Sequence, residues 1–191
     1  MVDFQVVAAP LVEAAQVVVG NSTKKKNMKK KNKVVSRKIK ELLSEDDFIE
    51  IRKAVDEAEK ITSGEIRVAI TKSSVRIRTL LKKNTSRVYE AAKRKFEKLG
   101  MANTKQRTGV LIFVSVRERK VEILADSGVY PKTITPDFLQ QTAKSVSANI
   151  GLDMAKHGIV NAIKNIATQM SHDFPYDDND CDELPNDVDR E

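Results

Sequence analysis

The chain has 191 residues and a formal net charge of +7 at pH 7, with 40% hydrophobic and 32% charged residues. Its one cysteine, Cys181, excludes an intramolecular disulfide and is compatible with a reducing compartment. The positive charge is confined to one segment: Lys24 to Lys40 holds ten basic and no acidic residues, and the rest has 24 basic against 27 acidic residues. The segment from Asp177 to Glu191 carries eight acidic residues and one basic residue. The sequence therefore predicts a nearly neutral domain between a positive and a negative terminal segment, located in the cytoplasm or peripherally at the inner membrane surface.

Residues 1–42 are predicted to form a disordered arm, because they show no periodic apolar face. The stretch from Met1 to Gly20 is apolar but interrupted by polar residues, so it does not have the continuous apolar run of a transmembrane helix. The positive charges come after this stretch, whereas a secretory signal has them before its apolar region. It is either an extension or the result of a start site assigned too early, with translation beginning at Met28. The segment from Lys24 to Lys40 is either a solvated arm or a contact to an anionic membrane surface or another polyanion. No aromatic residue interleaves its lysines to stack on bases, so sequence-specific nucleic-acid binding is not expected.

The first helix is predicted to begin at Ser44, where the sequence SEDD supplies an N-cap and negative charge at the helix N-terminus. Apolar residues at helical spacing then form one face: Phe48, Ile51, Val55, Ala58 and Ile61. Ser63-Gly64 ends this helix, and alternating apolar residues between Glu65 and Thr71 predict the first strand.

A second helix is predicted from Arg76 to Leu99, followed by two apolar runs with a short charged turn between them. The runs, from Val110 to Val114 and from Val121 to Ala125, are close enough in sequence to form an antiparallel hairpin. Because a helix connects the first strand to the second, these two strands are expected to be parallel.

Two more helices are predicted after the hairpin, the first of them with Thr135-Pro136 as its N-cap and first turn. The element order predicts an α/β fold in which a small mixed sheet, made of a parallel crossover and an antiparallel hairpin, has helices on both faces. We expect this domain to span residues 43–175. The acidic tail at residues 176–191 is then either solvated or folded back on the domain through Leu184-Pro185.

In this topology the start of the first strand, the start of the second and the end of the third meet at one end of the sheet. These positions carry Glu65, Thr108, Asp126 and Ser127. Their carboxylate and hydroxyl oxygens suit a hard cation, so the four residues are a candidate site for Ca²⁺ or Mg²⁺. Alternatively, Glu65 forms a local cap or ion pair, and Asp126 starts a turn that leads into Gly128. Catalytic residues are not identified, since the sequence has no phosphate-binding glycine loop or nucleophile motif.

Several short motifs occur along the chain: SGEI at Ser63, KLG at Lys98, RTGVLI at Arg107, ERKV at Glu118, ADSG at Ala125, FP at Phe174 and ELP at Glu183. In this order they resemble the TPM domain family, which includes a thylakoid-lumen protein, a photosystem II repair factor and a nematode receptor modulator. The resemblance covers residues 44–185 and is strongest to the small bacterial branch without a membrane anchor. Two positions depart from the family pattern: Thr108 stands where asparagine is usual, and Phe138-Leu139 replace a frequent tryptophan.

The resemblance implies an α-β-α sandwich; some family members are described as acid phosphatases, some bind calcium and others assist membrane complexes. Two hypotheses follow. In the first, the domain binds a divalent cation at the carboxylate end of the sheet and has weak phosphatase activity that depends on the cation. In the second, it is a non-enzymatic adaptor, or an assembly or repair factor, with an unidentified protein partner. In both we expect a monomer, and the sequence does not decide whether the protein is an enzyme.

Overall fold

The computed structural model describes residues 6–10, 42–72, 87–118, 120–177 and 183–190. Within these ranges the strands are β1 (Val6–Pro10), β2 (Ile66–Thr71), β3 (Val110–Ser115), β4 (Lys120–Ala125) and β5 (Asp189–Arg190). The helices of the same ranges are α1 (Glu45–Ala58), α2 (Arg87–Lys98), α3 (Pro136–Gly151) and α4 (Ala155–Ser171). A 3₁₀ turn covers Met101–Asn103.

The strands form one sheet in the order β1-β4-β3-β2-β5. β2 and β3 are parallel, with Ile66 opposite Val110, and β3 and β4 are antiparallel, with Val110 opposite Ala125. The predicted parallel pair and hairpin are therefore confirmed. β2 and β3 are buried along their whole length and β4 along nearly all of it, as continuous apolar runs predict for strands covered on both faces.

Helices cover both faces of the sheet. α1, α3 and α4 pack on one face, where side chains such as Ile112 and Ile123 form the larger apolar cluster. α2 and the 3₁₀ turn cover the other face, where Phe96 packs with Phe113 in a second cluster. The architecture is the α-β-α sandwich that the motifs imply.

The first helix begins where the sequence predicts. Ser44 Oγ accepts a hydrogen bond from Asp47 N at 3.1 Å, and Asp47 Oδ2 accepts one from Ser44 N at 2.8 Å, which completes a capping box. The helix ends at Ala58, and the prediction that Ile61 belongs to its buried face is wrong, because 46% of Ile61 is exposed. Ile61 N bonds to Ala58 O, only three residues back, and this tighter turn rotates the side chain away from the helical face.

Three predictions fall wholly or partly outside the described residues. The first half of the helix predicted from Arg76, the segment from Lys24 to Lys40, and the aspartates between residues 178 and 182 all lie there. Among the helices that the structure describes, none combines the length and apolar character needed to span a bilayer.

Both terminal segments contribute strands to the sheet. β1 pairs antiparallel with β4, with Val6 opposite Leu124, and β5 pairs parallel with β2, with Asp189 opposite Ala69. At β1 the structure has a strand where disorder was expected, and at β5 the tail folds back on the domain, which is one of its two predicted alternatives. The physical reason is that an edge strand offers unpaired N–H and C=O groups, which accept an extended segment with little demand on its side chains. The division of the chain at residues 42/43 and 175/176 stays a prediction.

Candidate functional site

Three strand ends meet at one end of the sheet, as the topology predicts. Val110 N donates to Glu65 O at 2.8 Å, and Asp126 N donates to Gly109 O at 2.9 Å. These backbone bonds place Glu65, Gly109 and Asp126 side by side on neighbouring strands. Thr108 and Ser127 adjoin them in sequence, so the four predicted site residues lie at the same end of the sheet.

The carboxylate of Asp126 is fully buried and paired with Arg107. Arg107 Nε lies 2.9 Å from Oδ2, and the NH2 group of the same guanidinium donates to Oδ1 at 3.0 Å. Ser127 N also donates to Oδ1, at 2.6 Å. Both carboxylate oxygens thus lie within 3.0 Å of the guanidinium, with hydrogen bonds at Oδ1 and an ion-pair contact at Oδ2.

Arg107 reaches Asp126 from an uncommon backbone conformation. Its φ angle is 57°, in the left-handed region that residues other than glycine rarely adopt. Two further contacts hold it: its NH1 group donates to Ala102 O at 2.8 Å, and Gly128 N donates to Arg107 O at 2.9 Å. A Cβ atom at Gly128 would lie 2.0 Å from Gln106 O, so glycine is required for the two loops to approach this closely. The RTG and ADSG motifs therefore act as one structural unit.

Glu65 has a different set of partners. It is buried, and its Oε1 accepts a hydrogen bond from Glu183 N at 3.0 Å. The carboxylate of Glu183 in turn accepts from Lys105 N at 3.0 Å. Glu65 thus anchors the start of the last described segment to the sheet.

The two predicted carboxylate ligands have separate partners, Glu183 N for Glu65 and Arg107 for Asp126. Glu65 and Asp126 lie on either side of β3, so their Cα atoms are two strand spacings apart, about 9.5 Å. Thr108 is buried between them, and its N donates to Thr104 Oγ1 at 3.0 Å. Across residues 6–10, 42–72, 87–118, 120–177 and 183–190, no group of three or more His, Cys, Asp or Glu side chains is arranged to hold a metal ion. The cation site at Glu65, Thr108, Asp126 and Ser127 therefore stays a prediction.

Sequence reasoning missed a feature of this region. Residues 183–190, which we name the C-terminal strap, begin at Glu65 and follow the edge of β2 until they end as β5. Leu184 packs against the second apolar cluster beside Gly100. The tail therefore folds back on the domain at Leu184-Pro185, which was one of the two alternatives for it.

One ion pair of the strap is buried. Asp189 Oδ1 lies 2.7 Å from Lys95 Nζ, and only 7% of the lysine side chain is exposed. Nearby on β2, the buried Arg67 donates from NH2 to Asp187 O at 3.4 Å. Burial lowers the pKa of Arg67, and the carboxylates of Asp189 and Asp187 oppose that shift. The strap therefore supplies negative charge to cations that the fold has removed from water.

The other ion pairs of the strap are solvent-exposed. Asp187 Oδ1 lies 3.1 Å from Arg52 NH1 on α1, with both side chains more than half exposed, and Arg190 NH1 lies 2.7 Å from Glu45 Oε2. Exposed pairs contribute about 0 to 1 kcal/mol each. The sequence signal that could have located the strap is Val188 between two acidic residues, a short extended pattern with an apolar residue at its centre.

An exposed apolar pair lies beside the start of β2. Ile61 and Tyr176 are 46% and 48% exposed, and Tyr176 N donates to Ile61 O at 3.3 Å. Thr62 and Pro175 form an isolated antiparallel bridge next to them, and Thr62 Oγ1 donates to Phe174 O at 2.7 Å. The backbone that carries the two apolar side chains is therefore fixed.

Comparison with known proteins gives two matches. Residues 37–169 match the family described as TPM domain. The chain is also similar to the NMR structure of the BA42 protein from the psychrophilic bacterium Bizionia argentinensis, with 32% sequence identity and a TM-score of 0.66. That similarity covers 78% of this chain and 95% of the BA42 chain. No curated protein gives a significant match.

Proposed function

The chain belongs to the TPM domain family, and we propose that this member acts as an adaptor, a domain that holds another protein. The observation that carries the proposal is the exposed pair of Ile61 and Tyr176 at the end of the sheet where the family motifs meet. Large apolar and aromatic side chains on a rigid backbone are frequent anchors of protein interfaces. The bridge between Thr62 and Pro175 provides that rigid backbone.

The ion pair of Asp126 supports the same proposal. A carboxylate that holds a cation or activates water needs an oxygen that is available to it. Asp126 is fully buried and ion-paired with Arg107, so chemistry at this position would first require displacing the guanidinium. A carboxylate that is buried and ion-paired in this way suits a structural role better than a catalytic one.

Affinity purification with crosslinking tests the adaptor proposal. The tagged 191-residue protein and its Ile61→Ser/Tyr176→Ser variant are incubated with lysate of the source organism, and bound proteins are quantified by mass spectrometry. We expect a partner whose recovery falls about tenfold or more in the variant, because truncating an interface anchor costs about 2 kcal/mol or more.

The matched control is Leu152→Ser/Met154→Ser, which changes two exposed apolar residues at the turn between α3 and α4. This control should recover the partner as the unaltered protein does. Equal recovery by all three proteins, or equal loss in both variants, would argue against docking through Ile61 and Tyr176.

Divalent-cation binding is a second candidate, and one observation favours it. The strap brings Glu183 next to Glu65, and the sequence that leads into it, residues 178–182, contains three aspartates. Ca²⁺ takes six to eight oxygen ligands, so the four residues predicted from sequence would need such additional carboxylates. Weak phosphatase activity would follow only from this candidate, with the cation polarising a phosphoryl oxygen.

A calcium titration followed by amide chemical shifts tests this second candidate. Saturable shifts around Glu65 and Glu183 that Glu65→Gln abolishes would support it, and magnesium serves as the second cation. An unchanged spectrum at millimolar calcium would remove both the cation and the phosphatase hypothesis.

We also propose that the protein is a cytoplasmic monomer that can associate peripherally with the inner membrane. The basic residues between Lys24 and Lys40 support the membrane contact, because anionic lipids attract such segments.

A further inference from the structure

The edge of β2 is closed by a short stretch of backbone pairing. β2 has six residues, and the structure pairs two of them, Ala69 and Ile70, with β5. The rest of the C-terminal strap lies beside β2 and is held through its side chains and single backbone groups. A strand edge of this kind accepts an extended segment through its N–H and C=O groups. The strap therefore occupies a strand-accepting edge.

Cations line this edge from both helical layers. Lys95 and Arg67 are more than nine-tenths buried, whereas Arg52 and Lys105 are exposed. Each meets an oxygen of the strap: Lys95 meets the carboxylate of Asp189, Arg67 the carbonyl of Asp187, Arg52 the carboxylate of Asp187 and Lys105 the carboxylate of Glu183. Carboxylates contact the strap as well, since Asn186 Nδ2 donates to Asp56 and Glu59 on α1 and just after it. The edge is thus complementary to an extended segment with carboxylates at the positions of Glu183, Asp187 and Asp189 and an amide at that of Asn186.

The charge of the segment that lies on the edge of β2 matters most at Lys95, because this lysine is buried. If the strap left the edge, Lys95 would lose the carboxylate that lies 2.7 Å from its Nζ atom, and Arg67 would lose the carbonyl of Asp187. Removing one partner of a buried ion pair is strongly unfavourable. An occupant that restores a carboxylate at this position is therefore favoured over a neutral one.

The strap is held mainly by polar contacts, several of them at the solvent-exposed surface. The Arg52–Asp187 and Lys105–Glu183 pairs are exposed on at least one side, and such pairs contribute little. Leu184 and Val188, its two apolar residues, are only partly buried. A segment of the same chemistry can compete with the strap for this edge.

We propose that the edge of β2 is a binding site for an extended acidic peptide segment of a partner protein, and that the C-terminal strap occupies this site in the free protein. Recognition combines addition of a strand to β2 with an aspartate placed on Lys95. The site goes beyond the proposed adaptor function, because it is a different surface from the Ile61–Tyr176 pair and does not depend on that pair binding a protein.

Fluorescence anisotropy with the 191-residue protein tests the proposal. The probe is a fluorescein-labelled peptide with the sequence of residues 183–190, ELPNDVDR. The tethered strap competes at an effective concentration in the millimolar range, so the unaltered protein should bind the peptide weakly. Asp189→Asn weakens the strap and leaves the edge unchanged. We expect this variant to bind the peptide at least about tenfold more tightly, since a buried hydrogen bond to a charged group is restored.

Two controls test whether the effect depends on the position of the substituted aspartate and on the charge of the peptide. Asp153→Asn changes an exposed aspartate between α3 and α4, and this variant should bind the peptide as the unaltered protein does. A second peptide with asparagine at the position of Asp189 should bind the Asp189→Asn protein at least about tenfold more weakly than the first peptide. This comparison tests charge recognition without any further change in the protein.

Three outcomes would overturn the proposal. If the Asp189→Asn protein keeps a native amide spectrum and binds neither peptide, the strap is a fixed part of the fold. If both peptides bind equally, the edge does not recognise acidic segments. If Asp189→Asn dimerises without peptide, the edge belongs to a second copy of the chain and not to a partner protein.

Discussion

Arg107 is the ion-pair partner of the buried Asp126 carboxylate. The guanidinium lies within 3.0 Å of both carboxylate oxygens, and Asp126 has no exposed surface. The Asp126 carboxylate lies out of contact with water, whereas the Arg107 side chain is 36% exposed, so the carboxylate depends on the guanidinium more than the guanidinium depends on it. At the residue scale, this interaction makes Asp126 important for stability.

Arg107→Met is therefore expected to be strongly destabilising. It leaves the fully buried Asp126 carboxylate without its counter-charge, and because the Arg107 side chain is itself 36% exposed, we expect a cost of about 2–3 kcal/mol. Urea unfolding at pH 7 measures the change. Lys105→Met is the matched control, because 80% of that side chain is exposed, and it should change stability by about 0.5 kcal/mol or less. A loss below about 1 kcal/mol for Arg107→Met would show that Asp126 is solvated.

Asp47 links stability to pH. Its pKa lies below the ordinary value of 3.8, first because its carboxylate accepts the hydrogen bond from Ser44 N, and further because of Ser44 Oγ and Lys156. Since the folded-state pKa is depressed, Asp47 stabilises the fold above the unfolded-state pKa, and this contribution is lost as the pH falls through the folded-state pKa. Asp47→Ala should cost about 1 kcal/mol at pH 7.

The difference between Asp47→Ala and the unaltered protein should then shrink as the pH falls below 3.8. Urea unfolding midpoints measured from pH 7 to about pH 3 report it. Asp46→Ala serves as control, because Asp46 lies in the same helical turn outside the capping box. A difference for Asp47→Ala that is independent of pH would contradict the role of its charge.

β3 is the central strand of the sheet at the scale of elements. It has β2 on one side and β4 on the other, and its residues are buried throughout. Its odd-numbered side chains Leu111 and Phe113 face α2, and its even-numbered ones face the other three helices. A single strand therefore belongs to both apolar clusters, so its side chains support both layers.

Phe113→Ala should be among the most destabilising truncations. Phe113 is 2% exposed and packs in the cluster beneath α2, and replacing a buried phenylalanine costs about 3–5 kcal/mol through lost burial and the cavity that remains. Thermal or urea unfolding measures it against Ile49→Ala, whose side chain is 53% exposed and should matter little. A cost below about 1 kcal/mol would be incompatible with a central position of β3.

At the scale of the whole molecule, terminal segments close both edges of the sheet. β1 pairs along β4, and the C-terminal strap closes β2. A deletion of residues 1–40 would therefore remove a strand together with the lysine-rich segment, and it cannot test that segment alone. The role of the lysine-rich segment is therefore tested by replacing its basic residues within the 191-residue chain.

A variant with the ten basic residues between Lys24 and Lys40 replaced by glutamine should lose binding to anionic vesicles. The unaltered protein, with a net charge of +7, should co-sediment with phosphatidylglycerol-containing vesicles at low salt and dissociate at high salt, because such attraction is screened. The variant, with a net charge of −3, should stay in solution. Equal binding of both proteins would contradict an electrostatic role, and binding that survives high salt would point to insertion of the apolar stretch before Gly20.

The sequence alone determined the order of the four helices and of the strands β2, β3 and β4, together with the end of the sheet at which the family motifs meet. Both follow from patterns that are local in sequence. The capping box at Ser44 closes within four residues, and the apolar runs on either side of the hairpin turn are distinguished by their composition from the charged residues around them. Strand direction then follows from the length of each connection, so Glu65 and Asp126 could be placed at the same end of the sheet before any contact was known.

The tertiary structure alone decided which partner each polar group has and what closes the sheet edges. Arg107 and Asp126 are 19 residues apart, and Glu65 meets the backbone of Glu183 across 118 residues. No local pattern encodes such pairs, because they depend on how loops approach after the sheet has formed. The pairings of β1 and β5 were hidden for a related reason: a strand edge recognises an extended backbone, and backbone hydrogen bonds leave almost no signature in the side chains.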